Sequence, residues 1–448
     1  MFIKIKQEYG YFRYFSLLLA SVVFTASQCI ASEWSSKVGG GVSYSDNIYR
    51  ASDDQESGRA YDVYMGINVK QQSSKYSASV ASDLTYKKYS IDQDQEVVGA
   101  FSANAEYRPI YNFLTITAAD SYGQYLTGAN QYEKVLDTPS SRRAYNVFSL
   151  GSNLLIPLGA RTKIKLNSQW IRAMYEGSPF DTTRQQYGSE VSYALSSNSL
   201  AYASYATGRT KIDHVDLSQM ALNFYDFNES GVGLSLKSAK TSLNIFAGKT
   251  GLKYPQESRS PSTLLRADAA RNIGKSISLV VNAGINYEDS GSNFVLSQNL
   301  YGVDSGPIAQ PLTNDAFKYH YADVSMSYVA SANDLSVGLN VNRSYHSINS
   351  QYDDERRSLT IKWGHRFSQR INVAFGSQFS NQKYKLSSII YSDRSLSAAL
   401  KWSLSQNADV NLNLTRNRGD QDELLQGLRP YKYNENVATL GLMYRLGR

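Results

Sequence analysis

The sequence predicts an all-β protein: a single transmembrane, antiparallel, up-and-down β-barrel of about 20 strands, with 18 strands as the alternative. Two observations predict it. Long runs alternate apolar and polar side chains, which is the period of an extended strand with two different faces. Short polar turns alternate with longer polar loops between these runs. That alternation is typical of hairpins whose two ends face different compartments.

The composition agrees with strands that are apolar on one face only. Hydrophobic residues make up 42% of the 448 residues, yet the mean hydropathy is −0.40. An apolar residue at every second position never builds a continuous apolar window. The chain has 35 Tyr against 16 Phe and 4 Trp, and Tyr suits the aromatic girdles of a membrane barrel. A soluble all-β protein with Tyr-rich surfaces is the alternative interpretation.

Residues 1–31 have the pattern of a secretory signal peptide. Lys4, Lys6 and Arg13 precede a charge-free stretch that contains the apolar run 17–24. Small residues at the end of this stretch predict cleavage near Ala31, which leaves 32–448 as the barrel. We therefore expect the protein in the outer membrane of a Gram-negative cell.

The only cysteine, Cys29, lies inside this leader. It raises the alternative of a lipoprotein, but the bulky Gln28 before it fits a lipoprotein signal poorly. Cleavage near Ala31 removes Cys29, so the mature barrel is expected to lack disulfides and cysteine-ligated metal.

Strand-like runs show the outward apolar positions directly. Typical sets are Val38, Val42 and Tyr44; Tyr61, Val63, Met65, Ile67 and Val69; Ile277, Leu279, Val281, Ala283, Ile285 and Tyr287; Leu335, Val337, Leu339 and Val341; Leu396, Ala398, Leu400 and Trp402. Strands that face lipid on one side and water on the other must alternate in this way. Weaker runs near 223–236 and 262–271 leave the strand count between 20 and 18.

The connections predict the orientation of the barrel. Short turns are expected at 71–74, 157–160, 196–199, 238–240, 272–275, 330–333, 367–369 and 405–407, and longer loops at 45–59, 126–142, 249–262, 289–316, 345–356 and 416–434. Short turns of outer-membrane barrels face the periplasm. Both termini are therefore predicted to be periplasmic.

The carboxy-terminal strand fits a barrel-assembly signal. Thr439, Gly441, Tyr444 and Leu446 match a polar-x-Gly-x-x-aromatic-x-apolar pattern, although the chain continues for two further residues. We expect the outer-membrane barrel-assembly machinery to be a partner of the nascent chain.

The sequence does not indicate an enzyme. Its four histidines are His214, His320, His346 and His365, and they show no metal-ligand spacing. No glycine-rich phosphate loop stands between a strand and a helix. Neighbouring side chains of an extended strand point apart, so His346 and Ser347 make a poor nucleophile–base pair. We expect no catalytic residues, no cofactor, no metal site and no nucleic-acid partner.

The positions between the apolar residues are predicted to line the lumen, and they are rich in amides and lysines. Amides both donate and accept hydrogen bonds, which suits sugar hydroxyls, and lysines suit uronate, phosphate or sulfate groups. A generic water-filled lumen is an equally good interpretation of these residues. The candidates are Lys70, Glu106, Lys163, Lys165, Gln169, Arg266, Asn282, Asn340, Lys362, Lys401 and Asn411.

The longest loop, 289–316, is unusually apolar for a solvated segment, with Phe294-Val295-Leu296 and Leu300-Tyr301. It is expected either to fold into the lumen as a constriction or to pack on neighbouring exposed loops.

The stretch from Gly39 to Arg50, with Asp46-Asn47 at its centre, follows directly after the leader. It resembles the outer-membrane β-barrel proteins of exopolysaccharide biosynthesis operons, including those of exosortase systems. The resemblance implies export of a polymer in cooperation with a periplasmic polysaccharide-export lipoprotein. It carries over only Asp46, Asn47 and Arg50, whose role in the family pattern is open and which are suited to organising the first turn.

Three functions remain open from the sequence. The leading hypothesis is a passive portal or accessory for exopolysaccharide or capsule export, with lipopolysaccharide and other outer-membrane lipids as its surroundings. The second is a general or substrate-selective porin for small solutes. The third is a surface adhesin or structural barrel, which the large size disfavours because about eight strands suffice for an anchor. An energised nutrient receptor is not expected, since the short stretch before the first strand leaves no room for a plug domain.

Overall fold

The computed structural model describes residues 32–91, 95–126, 142–176, 181–213, 224–255, 262–288, 316–347, 350, 353–385, 390–421 and 432–446. Their strands form one sheet of 20 strands in which every pairing is antiparallel. Within these ranges no helix is long and apolar enough to cross a membrane.

The strands follow one another around the sheet in chain order. They are β1 Ser32–Ser45, β2 Gly58–Gln72, β3 Tyr76–Tyr89, β4 Gln95–Ile110, β5 Leu114–Leu126, β6 Arg142–Pro157, β7 Thr162–Tyr175, β8 Asp181–Ser196, β9 Ser199–Asp213, β10 Phe224–Lys237, β11 Thr241–Lys253, β12 Ser262–Ile273, β13 Ile277–Glu288, β14 Phe317–Val329, β15 Asn333–His346, β16 Asp354–Arg366, β17 Ile371–Tyr384, β18 Ile390–Ser403, β19 Ala408–Gln421 and β20 Lys432–Leu446.

Pairing between the first and last strands closes the sheet into a barrel. The β1–β20 register runs from Ser36 opposite Leu446 to Ser45 opposite Val437. Closure is required in a membrane, because lipid cannot satisfy the backbone groups of an open sheet edge. The barrel prediction is confirmed with 20 strands, and the 18-strand alternative is wrong. The weak segments form β10 and β12 as full members.

The outer surface carries a band of exposed apolar side chains that we call the apolar belt. Val63 is 64% exposed and Leu442 55% exposed, values expected of side chains that face lipid. Across the closing pair, Val42 lies opposite Tyr61 of β2 and Leu440 of β20. The apolar sets predicted from the sequence lie on this face.

The connections and termini define two ends of the barrel. Ser32 and Leu446 lie at the end with the short turns, which in such barrels is the periplasmic end. The longer connections lie at the opposite, extracellular end. The predicted leader 1–31 and loop residues 289–315 lie outside the described residues; Ala316, the last residue of that loop, is 1% exposed.

Several predicted loops are too long, because their polar residues belong to strands. Strand β11 continues to Lys253, β19 continues to Gln421, and β20 begins at Lys432. Strands of 12 to 16 residues exceed the roughly 9–11 residues that cross a bilayer. Their extracellular ends project into water, where both faces accept polar side chains and the alternation that marks a strand disappears. The predicted loops did not include the connections between β3 and β4, β7 and β8, β9 and β10, and β17 and β18.

Serine side chains stabilise the periplasmic turns. Ser73 Oγ accepts hydrogen bonds from the backbone N–H groups of Lys75 and Tyr76 at 3.3 and 3.1 Å, and Ser238, Ser368 and Ser405 repeat the arrangement. This local bonding is the reason why serine favours tight reversals. The sequence missed the turn at 111–113, where Asn112 adopts a φ of 66°.

Inside the barrel, aromatic rings lie over glycines of the neighbouring strand. Gly284 is directly opposite Tyr321, and a Cβ at Gly284 would lie 2.8 Å from the Tyr321 hydroxyl oxygen. The same cross-strand relation recurs in the pairs Gly123–Tyr145, Gly208–Phe227, Gly233–Tyr202 and Gly419–Tyr433. The missing side chain lets each ring lie against the wall instead of crossing the lumen.

Replacing Gly284 with Leu should displace the Tyr321 ring and lower the free energy of unfolding by about 1–3 kcal/mol, the usual cost of overpacking. Urea unfolding of the barrel in lipid vesicles, followed by tryptophan fluorescence, measures this. Gly338→Leu is the matched control, because a Cβ at Gly338 would meet no atom within 4 Å. Equal stability of the two variants would contradict the packing argument.

Candidate functional site in the barrel lumen

All eleven predicted lining residues lie at strand positions that alternate with the apolar belt, and these positions face the lumen. Lys362 follows the exposed Ile361, and Lys401 follows the exposed Leu400. The other nine have the same relation to their own strands: Lys70, Glu106, Lys163, Lys165, Gln169, Arg266, Asn282, Asn340 and Asn411.

The barrel brings these residues together only in part. Lys401 and Asn411 are direct cross-strand neighbours. Arg266, Asn282 and Asn340 lie on β12, β13 and β15, within one stretch of the wall. Lys163, Lys165 and Gln169 share strand β7, on a different part of the wall. These residues form a polar lining. Their role in transport stays a prediction.

Carboxylates neutralise several of the lumen cations. The sequence had predicted a lining of amides and lysines without these ion pairs. Asp409 is fully buried and lies 3.4 Å from Lys401 Nζ. Arg445 from β20 contacts the same carboxylate, and the Ser403 hydroxyl donates to it at 2.7 Å. Lys37 pairs with Asp83 at 3.0 Å on the neighbouring wall. These two parts of the wall therefore carry paired charges rather than a simple cationic path.

The most distinctive part of the lumen is an aromatic wall formed by Tyr202, Phe246, Tyr319 and Tyr321. Tyr202 stacks on Phe246 with ring centroids 6.1 Å apart, and Tyr319 stacks on Tyr321 at 5.6 Å. Arg266 lies between the two pairs, with its guanidinium carbon 5.4 Å from the Phe246 centroid. All five residues face the lumen from strands β9, β11, β12 and β14.

Amides and carboxylates surround the aromatic wall and hold its side chains. Arg266 donates to Asn286 at 2.5 Å and to Glu229 at 3.0 Å. The Tyr202 hydroxyl donates to Asn244 at 3.1 Å. Next to the wall, Asn342 donates to Asn340 at 2.9 Å, and Asn340 donates to Asp323. Stacked rings beside amide and carboxylate groups offer both the apolar faces and the hydrogen-bonding groups that a sugar ring presents in return.

The family-like residues Asp46, Asn47 and Arg50 fasten the extracellular end of the closing pair. They contact three successive residues of β20. Asn47 donates to the Asn434 carbonyl at 3.0 Å, Arg50 donates to Glu435 at 2.9 Å, and Asp46 accepts from the Asn436 backbone N–H at 2.7 Å and from its amide at 2.6 Å. We call this contact set the seam latch.

Burial makes the seam latch a structural element. Asn47 is fully buried and also holds its own turn, since it accepts from the Ala51 N–H and donates to the Ala51 carbonyl, both at 2.8 Å. Glu435 is 5% exposed and accepts further hydrogen bonds from Ser45 and Asn417, both at 2.9 Å. The sequence predicted only the local turn, because the partners on β20 are almost 390 residues away along the chain.

In the described part of the chain, no group of three or more His, Cys, Asp or Glu residues could hold a metal ion.

Comparison with known proteins yields structural likeness only. No family model matches the chain, and no curated protein matches it. Among solved structures, it is similar to the FrpB iron transporter from Neisseria meningitidis (F3-3 variant), with 8% identity, a TM-score of 0.47, and 92% of this chain and 81% of that chain covered. It is similar to the siderophore receptor PirA from Acinetobacter baumannii, with 9% identity, a TM-score of 0.48, and 94% and 81% covered.

The ferric enterobactin receptor PfeA from Pseudomonas aeruginosa gives a comparable match, with 9% identity, a TM-score of 0.49, and 93% and 82% covered. These matches reflect a similar backbone fold, that of a large β-barrel. Nothing about the cargo of those receptors is transferred to this chain.

Asn47→Ala should lower the free energy of unfolding by about 1–3 kcal/mol, because it leaves buried backbone groups of Ala51 and Asn434 without their partner. The measurement is the urea midpoint, together with the temperature at which the barrel loses its compact mobility in gels. Asp53→Ala removes an exposed polar side chain from the same loop and serves as the control. Equal urea midpoints for Asn47→Ala and Asp53→Ala would show that the hydrogen bonds of Asn47 do not stabilise the seam.

Proposed function

We propose that this barrel is an outer-membrane portal through which an exopolysaccharide leaves the cell. The aromatic wall carries the proposal: stacked Tyr and Phe rings lie beside amides and carboxylates on the lumen side of β9 to β15. Sugar rings pack their C–H faces on aromatic rings and exchange hydrogen bonds with amides. The resemblance around Asp46 and Asn47 points to the same class of cargo.

The size of the barrel supports passage rather than anchoring. Barrels of 16–18 strands already leave an aqueous channel, and 20 strands enclose a wider lumen. Where carboxylates pair with lumen cations, as at Lys37 and Lys401, the wall stays wetted without strong attraction for one sign of charge. A polymer can then slide past many weak contacts, while synthesis and a periplasmic polysaccharide-export lipoprotein supply its direction.

Deleting the gene should strongly reduce extracellular polysaccharide and leave polymer in the periplasm, because the portal is the exit. The measurement is the acid-hydrolysed sugar content of the culture supernatant and of the periplasmic fraction, with the plasmid-borne full chain as the complementation control. Unchanged secretion in the deletion strain would refute the export role.

The lumen chemistry is tested separately in planar bilayers. Oligosaccharides released from the secreted polymer should interrupt the single-channel current, and Tyr319→Ala/Tyr321→Ala should shorten these interruptions about tenfold, since each ring contact contributes roughly 0.5–1.5 kcal/mol. Tyr64→Ala/Tyr89→Ala, which removes two lumen tyrosines from the β2–β3 wall, is the control.

Equal interruptions in both double variants would show that the aromatic wall does not bind sugar. Conduction of small sugars and ions combined with normal polymer secretion by the deletion strain would favour the alternative of a small-solute porin.

A further inference from the structure

The outer surface carries an unpaired arginine cluster immediately above the apolar belt on β18 and β19. Outward positions on β19 run Val410, Leu412, Leu414 and then Arg416 and Arg418. On β18 the series Trp402, Leu400, Ala398 and Leu396 ends at Arg394. The apolar residues lie toward the periplasmic end, so the arginines stand where the belt gives way to the extracellular side.

These arginines face one another without a counterion from the wall. Arg394 is the direct cross-strand partner of Arg418, and Arg416 is opposite Leu396. Like charges placed directly opposite each other destabilise a sheet. Among the described residues, no carboxylate lies within ion-pair distance of any of the three. All three side chains are exposed.

Several other cations on the extracellular part of the outer wall do have carboxylate partners. Arg209 pairs with Asp226 at 2.6 Å, and Lys211 lies 3.4 Å from Asp213. Two strands away from the cluster, Glu355 pairs with both Arg343, at 2.9 Å, and Arg357, at 2.5 Å. The cluster on β18 and β19 is therefore a local excess of positive charge, and an anion from outside the wall is what would neutralise it.

The level of the cluster identifies that anion. The belt contacts acyl chains, so the first polar positions above it meet the headgroups of the outer leaflet. A guanidinium group matches the oxygens of a phosphate with paired hydrogen bonds, and the exposed Asn434, opposite Arg418 on β20, adds an amide group for sugar hydroxyls. We propose that Arg394, Arg416 and Arg418 bind a phosphorylated glucosamine headgroup of lipopolysaccharide, that is, a lipid A phosphate.

The test is a titration of the detergent-solubilised full barrel with bisphosphorylated lipid A, followed by native mass spectrometry. The triple variant Arg394→Gln/Arg416→Gln/Arg418→Gln should bind at least about tenfold more weakly, because charge-assisted hydrogen bonds are lost. Arg161→Gln/Arg271→Gln/Arg370→Gln removes the same charge from the exposed periplasmic end and should bind like the wild type. Compact gel mobility of each variant shows that it has folded.

Two lipid arms separate phosphate recognition from general adhesion. Lipid A from which both phosphates have been removed, and phosphatidylglycerol, should each bind the wild type about as weakly as lipid A binds the triple variant. Equal binding of phosphorylated and dephosphorylated lipid A, equal binding of phosphatidylglycerol, or wild-type affinity in the folded triple variant would each overturn the proposal.

Discussion

The pairing of β1 with β20 is the constraint on which the rest of this molecule depends. A sheet in lipid has no water to satisfy its edges, so every strand must pair on both sides. The closing register, from Ser36 opposite Leu446 to Ser45 opposite Val437, keeps the lipid-facing positions of β1 and β20 on the same face, because a slip by one residue would place an apolar position of one strand beside a lumen position of the other. The seam latch reinforces this pairing at the extracellular end, where strands leave the membrane and water competes for backbone hydrogen bonds.

Once the faces are fixed, the interior has to remain polar and open while still containing large rings. Glycines opposite inward aromatics solve this locally, because a ring such as Tyr321 lies over the bare backbone at Gly284. The same geometry leaves ring faces available at the aromatic wall. Packing of the wall and exposure of a sugar-compatible surface therefore have one physical origin, and a larger residue at Gly284 would disturb both.

Charge is distributed differently on the two faces for a related reason. In the lumen, opposite charges such as Lys401 and Asp409 sit on neighbouring strands and neutralise each other. On the outer wall, lipid excludes charges from the belt and admits them only beyond its edge. Arg394 and Arg418 lie at that edge without a protein counterion, so the membrane itself becomes the natural partner. The barrel thus pairs charges on parts of its inner wall and presents a positively charged edge to the outer leaflet.

The alternation of apolar and polar residues determined by itself the fold class, the two faces and the lumen side of residues such as Lys362 and Asn411, because side-chain direction in a strand is a local property. It did not determine where strands end in water, since residues such as Arg416 to Gln421 lose the alternation while still pairing. The alternation also did not predict the partners of Asp46, Asn47 and Arg50, or the stacking of Tyr202 on Phe246. The cross-strand pairing of Arg394 with Arg418 was likewise not predicted. Those contacts join residues on different strands, and only the register of the closed barrel decides which strands and which residues meet.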